Sequence, residues 1–536
     1  MGKNMRRFTA SLRATRWCAL LACSLAAATH LQASAQDSSS QSNVLDIGDR
    51  RQVFIDGRFL EASHNVELVM HPARKTSERT LVPDRPWEGA RFGNYNNVLK
   101  INDTYHLWYV TRNGLCYARS RDGITWEKPA LGLTEFNGSR DNNIVLGSGA
   151  NGVTEWSSEG MIFHDPTAPA DERFRYATRI SDEHKHTVIF SSPDGIAWRR
   201  THEKVLTFTH PEGRQHLDSQ NVIFWDDRIE KYVAYMRYNQ HAPGLQGRFR
   251  GRSIVRSESD HLDGFDEVQN APVVLGPDGL DASIDGYPVV DYYTSGAMKY
   301  PWAQEAYYMF PQAYLHYVQG LMPEFKDDFV VNAGPLHTQF AASRDGIRWH
   351  RFGRRPFVDL GRKGAFDSKG ARVFYGLVPS VDGREMYMYY LGSDRLHGWG
   401  RDERNNRLLT EAGLAPTQDV TVISRVVIRR DGFVSARADY AGGQFRTPLL
   451  RFDGRELVLN VDTSATGLVC CELIDDRGQP IEGYTLADCD LIHTANEIDR
   501  AVRWRGRSDL SALAGRPIRL RIVFRDADLY AFQFRK

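Results

Sequence analysis

The chain of 536 residues is 41% hydrophobic and 25% charged, too long for one ordinary core and long enough for a large repeat domain with a smaller companion. Five basic residues and no acid lie in the first 35, so beyond them the formal charge falls from +1 to −4, a mildly acidic balance that argues against a nucleic-acid partner. Past that N-terminus no apolar run approaches the roughly 18 residues of a membrane span, so no membrane contact is expected once it is removed.

Taken in chain order, Lys3, Arg6, Arg7, Arg13 and Arg16 precede an apolar run from Trp17 to Thr29, and Ala33-Ser34-Ala35 follows as a small-x-small cleavage site. This is the layout of a secretory signal peptide over 1–35, which predicts a mature chain from near Gln36, periplasmic or secreted. Residues 36–44 read as a polar linker of low complexity. Ile47 to His71 reads as two or three strands leading into a first β unit. Cys116, Cys470, Cys471 and Cys489 remain in the mature chain. They have no metal-ligand spacing and are too few for a disulfide scaffold, although export permits one bridge from Cys489 to Cys470 or Cys471.

An internal repeat then sets the architecture. Ser-x-Asp-Gly-x-x-Trp occurs at Ser120 to Trp126, Ser192 to Trp198 and Ser343 to Trp349, with tryptophan spacings of 72 and 151. The longer spacing is close to two periods, and a degenerate copy from Ser257 to Phe265 stands between; Arg430 to Phe433 supplies a fifth, weaker one. Each copy follows a β-rich run and turns through Asp-Gly, a strong hairpin signal. The expectation is an all-β chain: a five-bladed β-propeller over 45–442, each blade a four-stranded sheet with its aromatic packed between neighbours. After Gly442-Gly443, short strands at Glu456 to Val461, Gly467 to Ile474, Ile518 to Phe524 and Leu529 to Phe534 predict a small jelly-roll-like β-sandwich over 443–536. Such a domain suits glycan binding or a structural buttress.

Counting back about 25 to 45 residues from each copy predicts five inner strands: Asn96 to Leu99, Glu159 to Ile162, Gln220 to Ile223, Gly286 to Val289 and Gly370 to Val373. At or just before their starts stand Glu159, Asp218, Asp285 and Asp367. Converging carboxylates raise each other's pKa, and a protonated acid beside an ionised one is the apparatus of glycosidic bond hydrolysis. Asp165, in His164-Asp165-Pro166, reads instead as a turn former.

In its five-unit layout, its SRDGITW-type hairpins and its acids at inner-strand starts, the chain resembles the five-bladed propeller glycoside hydrolases, the superfamily of families 32, 43, 62, 68 and 117, over about residues 45 to 440. It also resembles exported bacterial propellers that carry a C-terminal sandwich. The resemblance implies three acids: a first-blade Asp, an Asp that orients or tunes, and a Glu that donates the proton. Asp218 in His-Leu-Asp-Ser-Gln-Asn matches the tuning Asp by blade position, and Asp285 in Ile-Asp-Gly-Tyr-Pro falls where the donor is often found. Two departures stand out. Asn97 occupies the first-blade position, and the donor would be an Asp, so either Glu159 or Asp367 takes the base role or the site has another chemistry.

Sugar sites also need polar clamps and aromatic platforms. Arg91, Asn97, His216, Gln220, Asn221 and His397 are candidates for hydroxyl contacts, and Trp156, Tyr287 and Trp399 for ring stacking. His164, His210 and His216 have no paired zinc spacing, so no catalytic metal and no required cofactor is expected; a structural calcium or sodium ion at the propeller axis is compatible with converging oxygens. The expected partner is a plant or algal poly- or oligosaccharide. Two alternatives remain: a non-catalytic glycan-binding propeller, suggested by Asn97, and a sialidase-like hydrolase drawing arginines from Arg91, Arg214, Arg237 and Arg372.

Overall fold

The computed structural model of the chain describes residues 44–147, 158–180, 186–208, 217–241, 250–284, 287–317 and 333–536. They are nearly all β, with one α-helix among the described residues, Glu403–Glu411, whose N-cap Asp402 accepts from the Asn405 amide at 2.7 Å. No helix among them is long and apolar enough to cross a membrane. The chain forms two compact units. One comprises 72–300 and 305–430; the other joins the residues before 72 to 301–304 and 431–536.

The larger unit is a propeller-like succession of antiparallel sheets. The first pairs Asn97–Ile101, Thr104–Val110, Leu115–Ser120 and Ile144–Leu146 in chain order. The second pairs Gly160–His164, Phe174–Arg179, Thr187–Ser192 and Arg199–Leu206, and the third Val222–Asp226, Lys231–His241, Arg250–Ser259 and Val273–Leu275. A fourth holds Met298–Lys299, Tyr307–Met309, Ala341–Ser343 and His350–Arg351. Four separate four-stranded sheets therefore stand where five were expected. Apart from the pair Ser283–Ile284 and Tyr287–Pro288, the remaining strands of this unit join one eight-stranded sheet, in which Val290–Tyr292, Gln312–Leu315 and Leu336–Thr338 lead through a Leu336 to Gly370 bridge into Gly370–Val373, Glu385–Ser393, Thr421–Arg429 and Arg74–Lys75, with Val378–Pro379 pairing beside Glu385–Ser393. The interruption has a local cause. Pro311 supplies no amide between Tyr307–Met309 and Gln312–Leu315, so the strand breaks and changes sheet there.

The repeated heptapeptide is a docking device between sheets. In each full copy the Ser Oγ and Asp Oδ1 take the turn's backbone amides: Gly123 N to Ser120 Oγ at 2.8 Å and Ile124 N to Asp122 Oδ1 at 2.7 Å, with the same pattern at Ser192 and Asp194 and at Ser343 and Asp345. This holds the glycine at φ 72°, 76° and 73°. Its carbonyl then accepts a hydrogen bond from an aromatic on a strand of another sheet. Tyr389 Oη donates to Gly123 O at 2.5 Å, Trp108 Nε1 to Gly195 O at 2.6 Å, and Tyr235 Oη to Gly346 O at 2.6 Å. Trp126 and Trp349 pack edge-on to those same tyrosines, Tyr389 and Tyr235, whereas Trp198 packs on Tyr176 of its own sheet.

In the smaller unit, Gln52–Val53, Ala62–His64 and Glu67–Met70 pair with Arg519–Arg535, Gly443–Arg446 and Val434–Ala438 respectively, so residues read as the entrance to the first blade belong to the C-terminal sheet. The strands anticipated at 456–461 and 467–474 are one long strand, Glu456–Ile474, as are those near 518–524 and 529–534, Arg519–Arg535. Pairing joins them into a nine-stranded sheet where the two facing sheets of a jelly roll were expected. Its core is aromatic: Phe452 and Phe534 stack at 4.0 Å, and Phe54, Phe59, Phe445 and Phe532 interlock edge to face. The weakest copy of the repeat falls here as well, with Asp431 buried against Arg51 at 2.5 Å. The four cysteines of the described chain are free thiols, so the possible Cys489 bridge is not formed; Cys489 Sγ accepts from the Cys471 amide at 3.2 Å.

Candidate active site

Counting back from the repeats places the starts of four inner strands within two residues. The exception is the fourth, which begins at Val290; before it, among the described residues, Tyr287–Pro288 pairs with Ser283–Ile284. Asn96 and Asn221 occupy equivalent ladder positions at the starts of the first and third inner strands. Asn96 Oδ1 accepts from Val110 N at 2.8 Å and Asn221 Oδ1 from Arg237 N at 3.0 Å. The second sheet's register, Gly160 opposite Thr178, puts Glu159 at the corresponding position opposite Arg179.

Beside these positions the amides of Asn97 and Gln220 tie the first three sheets together. Gln220 Nε2 donates to Gly160 O at 3.0 Å, Asn97 Oδ1 at 3.2 Å and Asn96 O at 3.3 Å, and Asn97 Oδ1 also accepts from Ile162 N at 3.0 Å. Asn221 Nδ2 donates to Leu217 O and Ser219 O. All three amides, expected to contact sugar hydroxyls, are buried and bond to backbone, with Asn97 Nδ2 alone of their NH2 groups left without a hydrogen-bond partner among the described residues.

Two carboxylates stand on arginines at this level, one buried and one largely so. Arg179 directs Nε and Nη2 to Glu159 Oε2, both at 2.8 Å, and Arg237 pairs with Asp218. The side chains of Arg179 and Arg237 are 12% and 3% exposed and those of Glu159 and Asp218 21% and 25%, so the acids face outward from cations set beneath them. Burial raises the pKa of Glu159; Arg179 opposes and the nearby Asp218 charge adds to it, leaving the carboxyl above its ordinary value. Tyr95 lies in the field of Glu159, Asp218, Arg237 and Tyr293, with burial the largest influence on its own raised pKa.

A cation–tyrosine layer continues from there. Arg237 and Arg252 lie 4.9 and 4.8 Å from the centroid of Tyr293, and Arg252 lies 5.6 Å from that of Tyr314. Arg252 Nη1 meets Asp291 Oδ2 at 2.7 Å and His316 Nε2 lies 3.0 Å from the same oxygen. Burial pushes the Asp291 pKa up, but Arg252 and His316 outweigh it and hold it low. His397 packs on Tyr293 and Tyr314 at 5.3 and 4.8 Å. Tyr95, Tyr293, Tyr314 and Leu336 form one buried cluster.

The structure thus brings Glu159 and Asp218 together and sets His397 against the same tyrosines. Asp367 lies elsewhere in its interactions: its Oδ2 accepts from Lys75 Nζ at 2.6 Å and from Tyr390 Oη at 2.9 Å, a buried structural pair with no described link to Glu159 or Asp218. Arg91 is an exposed side chain paired with Asp419 at 3.0 Å. Trp399 packs beside Leu396 and Leu409 of the helix region. Asp165 is buried, accepting from Thr167 N at 3.0 Å and Tyr232 Oη at 2.9 Å, in keeping with a turn former. Trp156, His210, Arg214, His216 and Asp285 lie outside the described residues, and of Tyr287 only the strand is described. Among the described residues no group of three or more His, Cys, Asp and Glu side chains could hold a metal ion.

Sequence reasoning missed Arg179, Arg252, Asp291, His316, Tyr95 and Tyr293. One signal was available. Asp291 interrupts Val289-Val290-Asp291-Tyr292-Tyr293, and a carboxylate inside an apolar strand needs a buried cation.

No protein-family model and no curated protein sequence matches this chain. Among solved structures, a protein titled a glycoside hydrolase aligns over 66% of this chain and 92% of its own at 12% identity and a TM-score of 0.42. A thermostable family-43 glycoside hydrolase aligns over 66% and 95% at 14% identity and a TM-score of 0.41. An N-acetylgalactosamine deacetylase from F. plautii, solved with blood group B trisaccharide, aligns over 68% and 96% at 14% identity and a TM-score of 0.42.

Proposed function

We propose that this chain is an exported glycoside hydrolase that cleaves a glycosidic bond of a poly- or oligosaccharide at Glu159 and Asp218. The observation that carries the reading is the pairing of a carboxyl raised by burial with a second carboxyl close enough to raise it further. A group so placed keeps its proton at a pH where an ordinary Glu has lost it and can give it to the leaving glycosidic oxygen. Asp218, held by Arg237 and a quarter exposed, is the partner that activates water or attacks the anomeric carbon. Asp367 is assigned a structural role. Export rests on the signal-like sequence of 1–35. The run Gly370–Val373, Glu385–Ser393, Thr421–Arg429 and Arg74–Lys75 is read as the fifth blade, closed by the strand from the chain's N-terminal side.

The test is turnover of a panel of aryl glycosides and oligosaccharides by the purified full chain. Glu159→Gln and Asp218→Asn should each lower kcat by about 100- to 10,000-fold with folding intact. Undiminished turnover in both folded variants rejects the site.

A further inference from the structure

The cations around the site are unequally matched. Arg179, Arg237 and Arg252 each meet a carboxylate, Glu159, Asp218 and Asp291 in turn. Arg372, on the inner strand Gly370–Val373, meets none among the described residues. It is only 7% exposed and donates one described hydrogen bond, from Nη1 to the neutral amide oxygen of Asn94. Its Nε is buried without a partner, and no described hydrogen bond uses Nη2. Tyr95, Tyr293 and Tyr314 lie in its field, the first two shared with the Glu159 and Asp218 group. Burial lowers its pKa against the opposing pull of those tyrosines.

A buried guanidinium without a counter-charge is costly and is kept where something else supplies the charge. The unused edge is specific. Nε and Nη2 present two parallel N–H groups, the geometry that receives both oxygens of one carboxylate. Beside that edge the inner strand carries Gly370, and a methyl there would lie 3.7 Å from both Nε and Nη2. Ser393 Cβ stands 3.3 Å from the same point, so an added methyl would crowd the space beside that edge.

We propose that Arg372 binds the carboxylate of a uronic-acid residue, so that the substrate class is an acidic, uronate-containing glycan. The inference rests on the glycoside hydrolase reading for its site and names the substrate of that site. It involves binding only and adds no covalent step.

The test measures calorimetric binding to the full chain in a Glu159→Gln background, with oligosaccharides of galacturonate, glucuronate and mannuronate, their carboxyl-reduced counterparts and a sulfated neutral oligosaccharide. At least one uronate should bind about tenfold or more tightly than its carboxyl-reduced form. Arg372→Gln should abolish that preference, Arg372→Lys should retain part of it, and Gly370→Ala should weaken uronate binding alone. Equal affinity for uronate and reduced forms overturns the proposal, as does stronger binding of the sulfated sugar, a preference that survives in folded Arg372→Gln, or no uronate binding. Should Arg372→Gln fail to fold, the comparison of uronate with reduced sugar on the Arg372-containing chain decides. Wild-type hydrolysis of neutral glycosides with no uronate preference would leave the hydrolase reading standing and remove this one. Uronate preference without cleavage of any bond would do the reverse.

Discussion

Glu159 combines three influences that can be separated by substitution. Burial raises its pKa, Arg179 lowers it and Asp218 raises it. As proton donor it must be protonated, so activity should fall as pH rises through its raised pKa. Removing the Arg179 cation takes away the lowering influence, so Arg179→Gln should move the alkaline limb of the kcat/KM profile to higher pH; an unmoved limb would mean that Glu159 does not set it. Asp367 offers a contrast. It is buried and paired with Lys75 and Tyr390, so Asp367→Ala should cost about 2–3 kcal/mol of stability, the lower side of buried pairs because Lys75 is partly exposed, with kcat of the folded enzyme unchanged. Thermal or denaturant unfolding alongside kinetics checks both parts. Composition and strand order were enough to list Glu159, Asp218 and Asp367 together, since all three precede inner strands. Only partner geometry separates them, because a residue's position along a strand does not say which cation from another sheet meets it.

At the scale of the element, the repeated hairpin connects sequence to assembly. Its glycine sits at positive φ and its carbonyl receives an aromatic donor from another sheet. At Gly195 a methyl would lie 2.4 Å from Trp108, and the φ is 76°. Gly195→Ala should therefore combine left-handed strain with overpacking and cost about 3 kcal/mol. Gly132 has φ 70° with open space around it, so Gly132→Ala should cost only about 1–2 kcal/mol, the strain alone. Equal losses in chemical unfolding would contradict the docking role. The Ser-x-Asp-Gly-x-x-Trp pattern made these turns legible because it lies within seven residues. Its reach to Trp108, Tyr235 and Tyr389 was not, and neither was a related turn at Ser380-Val381-Asp382-Gly383, where Ser380 Oγ meets Asp382 Oδ1 at 2.7 Å without a tryptophan to mark it.

Over the whole molecule, the all-β class and the period of about 70 residues followed from the repeat, while two boundaries did not. Pro311 splits the middle strands of the fourth group, and the strands between 45 and 70 pair with residues 434 to 535. Pairing over hundreds of residues leaves no local trace. A chain ended at Gly442, the boundary suggested by composition, would lose the partners of Gln52–Val53 and Ala62–His64 and expose their edges. Such a chain should be less soluble and melt lower than the full chain; equal solubility and melting temperature would show that the C-terminal strands do not hold those segments.

The cleavage of a glycosidic bond assigned to Glu159 and Asp218 is tested by product release from a panel of neutral and uronate-containing oligosaccharides, measured for the wild-type chain and for Glu159→Gln. The wild type should cleave at least one substrate, and the folded variant should lose about 100-fold or more of that activity. Cleavage that persists unchanged in Glu159→Gln, or a wild-type chain that cleaves none of them, would contradict that assignment.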